Sequence, residues 1–309
     1  MYTGKKDSLF FSIVVCTYNR ANYLTQTLVS IAEQTFPMEN FEVLVVDNNS
    51  LDDTEETVRV FIASYPNIQM RYLREMNQGV SYCRNLGVSE ARGEFIVFID
   101  DDETVDKTFL MALYSFFKDH PEAKLCAEPV FPVYNSDKPK WLSPFTERLL
   151  TGAYYKGNKV KKVKAKDYPG TGHATFRRDL FTKYGGFKTD LGRKGSSLMG
   201  GEDKDFFLRL IEQGIDCYYI PQAIVSHYIS DDKLTSRHFR ALTYAIGKTE
   251  RIRTRSISDK EYTKRLVSEG GKWLGSLVLF LYYTVTLHFP KGWKLLEFRW
   301  NVTRGLLKK

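Results

Sequence analysis

The sequence predicts an α/β fold built on a parallel sheet. Short apolar runs rich in Val and Ile alternate with segments of helical periodicity through the first third of the chain, which is the pattern of successive βαβ units. A length of 309 residues suits one large domain of this kind with an appendage. The content of 43% hydrophobic and 27% charged residues is ordinary for a globular protein and indicates no disorder.

The first predicted strand covers residues 12–16, and the second covers residues 41–46. Between them, Leu24, Leu28 and Ile31 recur at positions i, i+4 and i+7, which predicts a helix with one face on the sheet. The remaining elements of this part follow in order: a helix marked by Val58, Phe61 and Ile62, a strand over 68–73 and a strand over 95–99.

The second half of the predicted main domain is less regular. Residues 132–168 are aromatic and Lys-rich without clean periodicity, so we expect loops and short strands that shape a substrate cleft. Order returns with a predicted helix over 202–213 and a predicted strand over 217–220. After His227 the sequence changes to basic helical segments, which mark the appendage.

The positive charge of the chain is concentrated in this appendage. Residues 233–309 hold 17 Lys or Arg against 5 Asp or Glu, a local net charge of +12, whereas the whole chain carries +8. Such a segment attracts anionic partners, either phospholipid head groups or nucleic acid. No recognition helix or aromatic RNA-binding motif is present, so we expect no nucleic-acid partner.

An uncharged run lies within the appendage, over residues 273–289. A bilayer-spanning helix needs about 20 apolar residues, so a run of 17 is marginal. Three arrangements are open: an in-plane or re-entrant helix at a membrane surface, a helix packed on the main domain, or a true span. The four cysteines have apolar or aromatic neighbours and no C-x-x-C spacing, which favours reduced core residues and a cytoplasmic protein.

Carboxylates follow two of the predicted strands. Asp47 ends the second strand, and Asp100, Asp101 and Asp102 end the strand over 95–99. Open α/β sheets bind ligands at the carboxyl ends of their strands, so we expect these side chains on one rim. Carboxylates there can hold a hard divalent cation. The alternatives are a solvated acidic turn that caps the next helix and, for Asp47, ordinary turn chemistry.

Two further groups could complete a site. Asp203 follows Gly200, Gly201 and Glu202 at the start of a predicted helix, where it could remove a proton from an attacking hydroxyl. The alternative is an acid that only stabilises the helix dipole. His227 is a candidate metal ligand if the fold returns it to Asp102, and otherwise a structural histidine.

Taken in order, these segments closely resemble the family-2 glycosyltransferases, which have the GT-A fold. The similarity covers residues 12 to about 228 and rests on six motifs in the family's order. They are residues 12–20, residues 45–50, Asn77 to Gly79 with Arg84, Asn85 and Gly87, residues 98–102, Gly172 with residues 176–178 and 185–187, and residues 201–203 with Phe206, Arg209 and Leu210, followed by His227.

The resemblance implies the roles of the site residues. Asp102, His227 and Asp100 correspond to the metal site, which takes Mn²⁺ or Mg²⁺, and Asp47 to the contact with the uracil ring. Asp203 corresponds to the catalytic base of an inverting reaction, and Glu202 lies on the acceptor side. The implied donor-binding residues are Thr17, Tyr18, Arg20, Asp47, Arg84, Asp100 and Asp101.

The resemblance also implies a GT-A domain with a mixed, mainly parallel sheet over residues 1–230. Its donor half covers about 1–105 and its acceptor half about 106–230, and a basic helical extension that could associate with a membrane covers 231–309. The expected donor is a nucleotide-diphosphate sugar of the UDP type. The expected acceptor is a glycan or lipid-linked hydroxyl in cell-surface polysaccharide synthesis, at the inner face of the plasma membrane.

Two other functions compete with this one. Residues 100–105 also fit the D-x-D-x-T-V pattern of haloacid dehalogenase-like phosphatases, in which the first Asp is the nucleophile. That class usually begins with this strand, whereas three predicted strands precede it here. A non-enzymatic, basic membrane-binding protein would explain the appendage but not the acidic rim.

Overall fold

A computed structural model describes residues 9–195 and 197–308. Residues 1–8, 196 and 309 of the predicted domains lie outside the described residues. The strands are β1 (Phe11–Thr17), β2 (Phe41–Asp47), β3 (Gln69–Arg74), β4 (Phe95–Asp100), β5 (Glu103–Val105), β6 (Leu125–Ala127), β7 (Val130–Tyr134), β8 (Lys161–Lys162), β9 (His173–Arg177), β10 (Cys217–Tyr219) and β11 (Val225–Ile229). The α-helices are α1 (Ala21–Ala32), α2 (Thr54–Ser64), α3 (Val80–Glu90), α4 (Phe109–Asp119), α5 (Pro144–Thr151), α6 (Asp179–Tyr184), α7 (Glu202–Glu212), α8 (Ser236–Ile257), α9 (Asp259–Val285) and α10 (Phe289–Leu307).

The main sheet has eight strands in the order β3-β2-β1-β4-β9-β6-β10-β8. Strands β1 to β4 run parallel to one another, and β6 runs parallel to β10. Strand β9 is antiparallel to β4 and β6, and β8 is antiparallel to β10. The sheet is therefore mixed and mainly parallel, which confirms the predicted fold class.

The centre of this sheet is buried on both faces. Strands β1 and β2 are runs of Val, Ile, Leu and Phe without polar alternation, as expected for parallel strands covered by helices. In α1, Leu24, Leu28 and Ile31 are fully buried, which confirms the helix predicted from their spacing.

The strand register places the acidic residues at one edge of the sheet. Asp47 of β2 lies opposite Thr17 of β1, and Asp100 of β4 lies opposite Cys16 on the other side of β1. Neighbouring strands are about 4.8 Å apart and β1 lies between β2 and β4, so the backbones of these two residues lie at the same rim about 10 Å apart.

A small sheet in the order β5-β11-β7 continues from this edge. Strand β11 pairs antiparallel with β5, and the pairing sets His227 opposite Glu103, the residue after Asp102. The chain thus returns His227 to the acidic turn from more than 120 residues away in sequence.

The chain divides into two compact units. The sheet unit contains residues 9–131, 154–189 and 203–227. The helical unit contains residues 132–153, the described residues of 190–202, and residues 228–308. The helical unit is thus assembled from three stretches of sequence.

Residues 132–168 contain the predicted loops and short strands, but they also contain helix α5, which was not predicted. Ser143 caps this helix in a capping box with Thr146, and Pro144 occupies its first turn. Leu142 and Leu150 pack with Phe239 in the core of the helical unit. Ser143 followed by Pro144 is a sequence signal for the start of a helix, but eight residues are too few to display helical periodicity.

Helices α8, α9 and α10 form the bulk of the helical unit. Helices α8 and α10 approach closely where Gly247 faces Gly305, since a Cβ added to Gly305 would lie 2.9 Å from the Gly247 Cα. The uncharged run over 273–289 does not form one helix. Helix α9 ends at Val285, Leu287 has a φ of 58°, and α10 begins at Phe289. Among the described helices, none has the length and apolar content needed to cross a membrane.

Candidate active site

The acidic turn after β4 is tied to both Arg20 and His227. The Arg20 Nη1 atom lies 2.5 Å from Asp102 Oδ2 and 3.2 Å from Asp101 Oδ1. The His227 Nε2 atom lies 3.4 Å from the other oxygen of Asp102. The structure therefore brings together two of the predicted metal ligands, Asp102 and His227, and two predicted donor-binding residues, Arg20 and Asp101.

The burial of this cluster shifts the affinities of its groups for protons. Burial raises the pKa of Asp101 above its usual range, against the attraction of Arg20, while the neighbouring Asp102 raises it further. Burial alone would lower the pKa of Arg20, but the charges of Asp101 and Asp102 outweigh it and raise that pKa. The guanidinium is thus a fixed positive charge that offsets two buried carboxyl groups.

Asp100 points to a different set of partners. Its Oδ1 atom lies 3.4 Å from Arg84 Nη2, and Arg84 lies over the ring of Phe187. A Cβ at Gly172 would lie 2.6 Å from the Asp100 carboxylate, so the start of β9 leaves room for Asp100 only because position 172 is glycine. The prediction that Asp100 contributes to the metal site stays a prediction.

Glu103 was not among the predicted site residues, although it supports the acidic turn. It is buried, and its Oε2 atom accepts a hydrogen bond from the Asp100 N–H at 3.1 Å. Thr27 of α1 donates to the Asp101 carbonyl oxygen at 3.0 Å. These bonds fix the turn from both sides, but no sequence pattern distinguishes such a glutamate from an ordinary strand residue.

Asp47 is buried, and both of its oxygens accept hydrogen bonds from the protein. Oδ1 accepts from the Ser50 N–H at 3.0 Å and the Ser50 hydroxyl at 2.5 Å, and Oδ2 accepts from the Tyr72 hydroxyl at 2.7 Å. Burial and this bond to Asp47 raise the pKa of Tyr72. These contacts fit the turn chemistry weighed for Asp47. A contact with a base would use the lone pairs that remain.

Two asparagines that were not among the predicted site residues form hydrogen bonds between the loops around Asp47. The backbone N–H of Asn19 donates to the Ser50 hydroxyl at 2.8 Å, and its side chain accepts from the Leu51 N–H at 2.7 Å. Asn48 donates to the Asn77 carbonyl and accepts from the Gly79 N–H, both at 2.7 Å. The first three motifs of the resemblance are therefore connected by direct hydrogen bonds.

The other predicted nucleotide residues lie along the same edge. Thr17 is buried at the end of β1, and Tyr18, the next residue, is half-buried. Their positions place them beside the Asp47 turn, because Thr17 pairs with Asp47 across β1 and β2. No described contact tests their proposed approach to a base.

Asp203 lies in the first turn of α7 and is half-buried, with its Oδ1 atom 2.6 Å from the Lys204 N–H. Glu202 begins this helix and is buried. Asp205, one half-turn later, forms ion pairs within the protein and was not among the predicted site residues. It bonds Lys188 at 2.8 Å and Arg209 at 2.9 Å, and Arg209 reaches the Gly186 carbonyl. These contacts hold α7 in the sheet unit and leave Asp203 at its first turn.

No set of three or more His, Cys, Asp or Glu side chains is arranged to hold a metal ion within residues 9–195 and 197–308. Asp102 and His227 nevertheless offer a carboxylate oxygen and an imidazole nitrogen 3.4 Å apart. Magnesium and similar ions are often held by one or two protein ligands together with substrate phosphates and water. This pair fits such a cation.

A cavity of about 690 Å³ lies elsewhere, beside α3 and α6. Asn85, Arg178 and Phe187 contribute to its lining, but none of the predicted catalytic, donor-binding or metal-binding residues does. It is therefore separate from the rim of carboxylates.

The sequence of this chain is similar to those of known proteins. The model of the family described as glycosyl transferase family 2 matches residues 12–185, which is more than half of the chain. The chain belongs to glycosyltransferase family 2. A glucosyl-dolichyl phosphate glucuronosyltransferase of Haloferax volcanii is 29% identical over 220 residues, which cover 70% of this chain and 68% of that protein. The succinoglycan biosynthesis protein ExoM of Rhizobium meliloti is 29% identical over 245 residues, which cover 76% of this chain and 74% of that protein.

Solved structures share the GT-A fold of this family-2 chain. A mannosyltransferase of Pyrobaculum calidifontis in complex with GDP-Man and Mn²⁺ matches with a TM-score of 0.63 at 17% identity, over 98% of this chain and 88% of that one. The TarS 1–349 fragment of Staphylococcus aureus in complex with UDP-GlcNAc matches with a TM-score of 0.58 at 19% identity, over 96% and 91%. In sequence, TarS aligns over only 19% of its full length.

Proposed function

We propose that this family-2 glycosyltransferase moves a sugar from a UDP-sugar to a hydroxyl of a glycan or lipid-linked acceptor in cell-surface polysaccharide synthesis, with inversion at the anomeric carbon. The observation that carries the proposal is the convergence of Arg20, Asp102 and His227 at the carboxyl edge of a GT-A sheet. Two relatives, the glucosyl-dolichyl phosphate glucuronosyltransferase and the succinoglycan biosynthesis protein, support the class of acceptor.

The donor half of the site binds the nucleotide and its diphosphate. Thr17, Tyr18 and Asp47 hold the base side of the rim, and Arg84 orients Asp100 toward the ribose or the cation. Asp102 and His227 would hold a divalent ion, Mn²⁺ or Mg²⁺, which would supply positive charge to the leaving diphosphate. Arg20 is a second positive charge at the same turn, positioned to bind a phosphate oxygen once it leaves the carboxylates.

The acceptor half supplies the base. Asp203 takes the proton of the acceptor hydroxyl as its oxygen attacks the anomeric carbon, and Glu202 lies beside it on the acceptor side. Attack from the face opposite the leaving diphosphate inverts the configuration at that carbon.

The competing functions are less well supported. In the phosphatase class, the strand that carries the nucleophilic Asp usually begins the chain, whereas here β1, β2 and β3 precede β4. The family match also covers the acidic turn. A purely membrane-binding function leaves the ion-paired cluster of Asp101, Asp102, His227 and Arg20 without a role.

A panel of nucleotide sugars tests the proposal. Thermal unfolding is measured with each nucleotide sugar, with and without Mn²⁺, because a ligand that binds the folded state raises the melting temperature. We expect the largest rise with a UDP-sugar and Mn²⁺ together, and slow hydrolysis of that same donor. Asp102→Asn should abolish the part of this rise in melting temperature that depends on Mn²⁺. Asp119→Asn, the same change at an exposed residue of the sheet unit, should leave that part intact. No response to any nucleotide sugar, with turnover of simple phosphate esters instead, would favour the phosphatase.

The proposed location is the cytoplasmic side of the plasma membrane, where the protein is peripheral. All four cysteines are free, and three of them are buried, as expected in a reducing compartment. Cell fractionation tests this proposal: we expect the protein in the membrane fraction, and recovery in the soluble fraction alone would contradict it.

A further inference from the structure

Exposed apolar side chains are concentrated at the end of the hairpin formed by α9 and α10. Nine large apolar side chains are exposed over residues 274–293, as many as over all of residues 9–256. Soluble surfaces carry scattered apolar residues, but a contiguous group of this size marks an interaction site. The group, which we call the hairpin face, consists of Leu274, Leu277, Val278, Leu281, Tyr282, Val285, Leu287, Phe289 and Trp293.

The spacing of these residues places them on one side of α9. Leu274, Val278, Leu281 and Val285 follow one another at intervals of three or four residues, which aligns their side chains along the helix. Their exposed fractions are 67%, 66%, 63% and 83%. The stripe runs to the C-terminal end of α9 and has no covering partner among the described residues.

The turn after α9 extends the same apolar surface. Leu287 is 91% exposed and has a φ of 58°, a backbone conformation that non-glycine residues rarely adopt. Phe289 and Trp293 follow on α10, and their rings stack with centroids 6.3 Å apart. Two features of Leu287 are unfavourable in water: the strained backbone and the exposure of an apolar side chain. An apolar environment would remove the cost of exposure.

The charges around the hairpin face are of one sign. No acidic residue occurs over 270–296, whereas Lys272 precedes the stripe and Lys291 follows the turn. Anionic head groups attract such cations, and Trp and Tyr side chains favour the boundary between head groups and acyl chains. A second copy of the chain would instead present the same lysines to one another.

We propose that the hairpin face inserts into the surface of a bilayer that contains anionic lipids. The stripe from Leu274 to Val285 is 12 residues long, or about 18 Å as a helix, which is short of the roughly 30 Å hydrocarbon core. The α9–α10 hairpin therefore enters one leaflet only, with Leu287 and the flanking aromatic rings as the deepest groups. This inference names the surface that holds the enzyme at the membrane and does not depend on the transfer reaction.

Vesicle flotation of the full chain tests the proposal. The vesicles are phosphatidylcholine alone and phosphatidylcholine with one quarter phosphatidylglycerol. We expect the protein to float with the anionic vesicles and to bind the neutral ones more weakly. The double variant Val285→Asp/Leu287→Asp should lower the partition coefficient at least about tenfold, because it places charge on two side chains that are buried only in the membrane-bound state.

The control is Leu51→Asp, which makes one of these two chemical changes at a residue that is 86% exposed in the sheet unit. It should bind vesicles within about twofold of the unmodified chain. A second variant, Val285→Ser/Leu287→Ser, separates lost apolar contact from charge repulsion and should also weaken binding. The melting temperatures of all variants are measured, since these exposed positions should leave folding unchanged.

Three outcomes would overturn the proposal. They are an absence of flotation with either vesicle, flotation that the two hairpin variants do not weaken, and a dimer by light scattering that the hairpin variants dissociate. The last would assign the hairpin face to contact between copies. Because no sugar donor enters the experiment, its failure would leave the proposed transferase activity untouched.

Discussion

Arg20 and a divalent cation compete for the same carboxylate, and Arg20→Gln tests this competition. In the structure the guanidinium lies 2.5 Å from Asp102 Oδ2 and 3.2 Å from Asp101 Oδ1. A cation bound at Asp102 must displace or repel this charge. Replacing Arg20 by glutamine removes the competing charge and leaves a shorter, neutral side chain, so the affinity for Mn²⁺ should increase.

The magnitude follows from the position of Arg20. Two unit charges about 4 Å apart contribute roughly 4 kcal/mol at an effective dielectric constant of about 20. The Arg20 side chain is 32% exposed, so solvent screening reduces this energy to about 1–2 kcal/mol. An energy of about 1–2 kcal/mol corresponds to an affinity for Mn²⁺ that is roughly 5- to 30-fold higher in the variant.

Isothermal titration of Mn²⁺ into the donor-free protein measures this change without reference to activity. Arg59→Gln is the matched control: it removes the same charge from an exposed ion pair with Glu55 and should change the affinity less than twofold. Unchanged or weaker Mn²⁺ binding by Arg20→Gln would refute the reasoning. It would mean that the cation does not bind at the Asp102 carboxylate or that Arg20 does not occupy it in solution.

Further predictions concern the base, the helix crossing and a buried acid. Asp203→Asn should lower kcat about 10²- to 10⁴-fold because the acceptor loses its base, while the thermal shift produced by the donor stays the same. Gly305→Ala should destabilise the helical unit by about 1–3 kcal/mol in thermal unfolding, because the added methyl overlaps the Tyr244 carbonyl of α8. Burial raises the pKa of Glu128 to about 8, against bonds from Thr175 and Cys126 that lower it. The folded state therefore binds more protons than the unfolded state between pH 4.5 and 8, and stability falls as pH rises by on the order of 1 kcal/mol per pH unit. Glu128→Gln should remove this dependence on pH. Its stability should therefore exceed that of the unmodified chain by a margin that grows toward pH 8.

Each of these predictions has an outcome that contradicts it. Near-normal turnover of Asp203→Asn at saturating substrates would show that another group is the base. Gly271→Ala, where no atom lies within 4 Å of the added methyl, is the control for Gly305→Ala, and equal effects would remove the packing argument. Parallel pH profiles of Glu128→Gln and the unmodified chain would show that Glu128 titrates normally.

The donor side of the fold was predictable because its signals are local. The spacing of Leu24, Leu28 and Ile31 and the Val-rich strands specify βαβ units, and parallel strands must direct their carboxyl ends to one edge. The βαβ pattern and the common direction of the strands together predict that Asp47 and Asp100 lie on one rim, without any tertiary information.

The pairing of His227 with the acidic turn was not predictable in the same way. It depends on β11 pairing with β5, a contact between short strands that neither composition nor periodicity encodes. Only the resemblance to a family pointed to it. Asn19, Asn48 and Glu103 were missed for a related reason: their roles lie in hydrogen bonds between loops that are distant in sequence.

The position of β9 has a consequence for synthesis of the chain. Strands β1 to β4 can pair as soon as residues 9–100 have left the ribosome, but β4 then has a bare edge that only β9 covers. At about 5–20 residues per second, β9 emerges roughly 4 to 15 s later. During that interval an unpaired and strongly apolar strand, Phe95–Asp100, is open to pairing with other chains. Nascent copies of this enzyme should therefore depend on chaperones that shield strand edges, and yields should fall when translation of residues 101–177 is slowed.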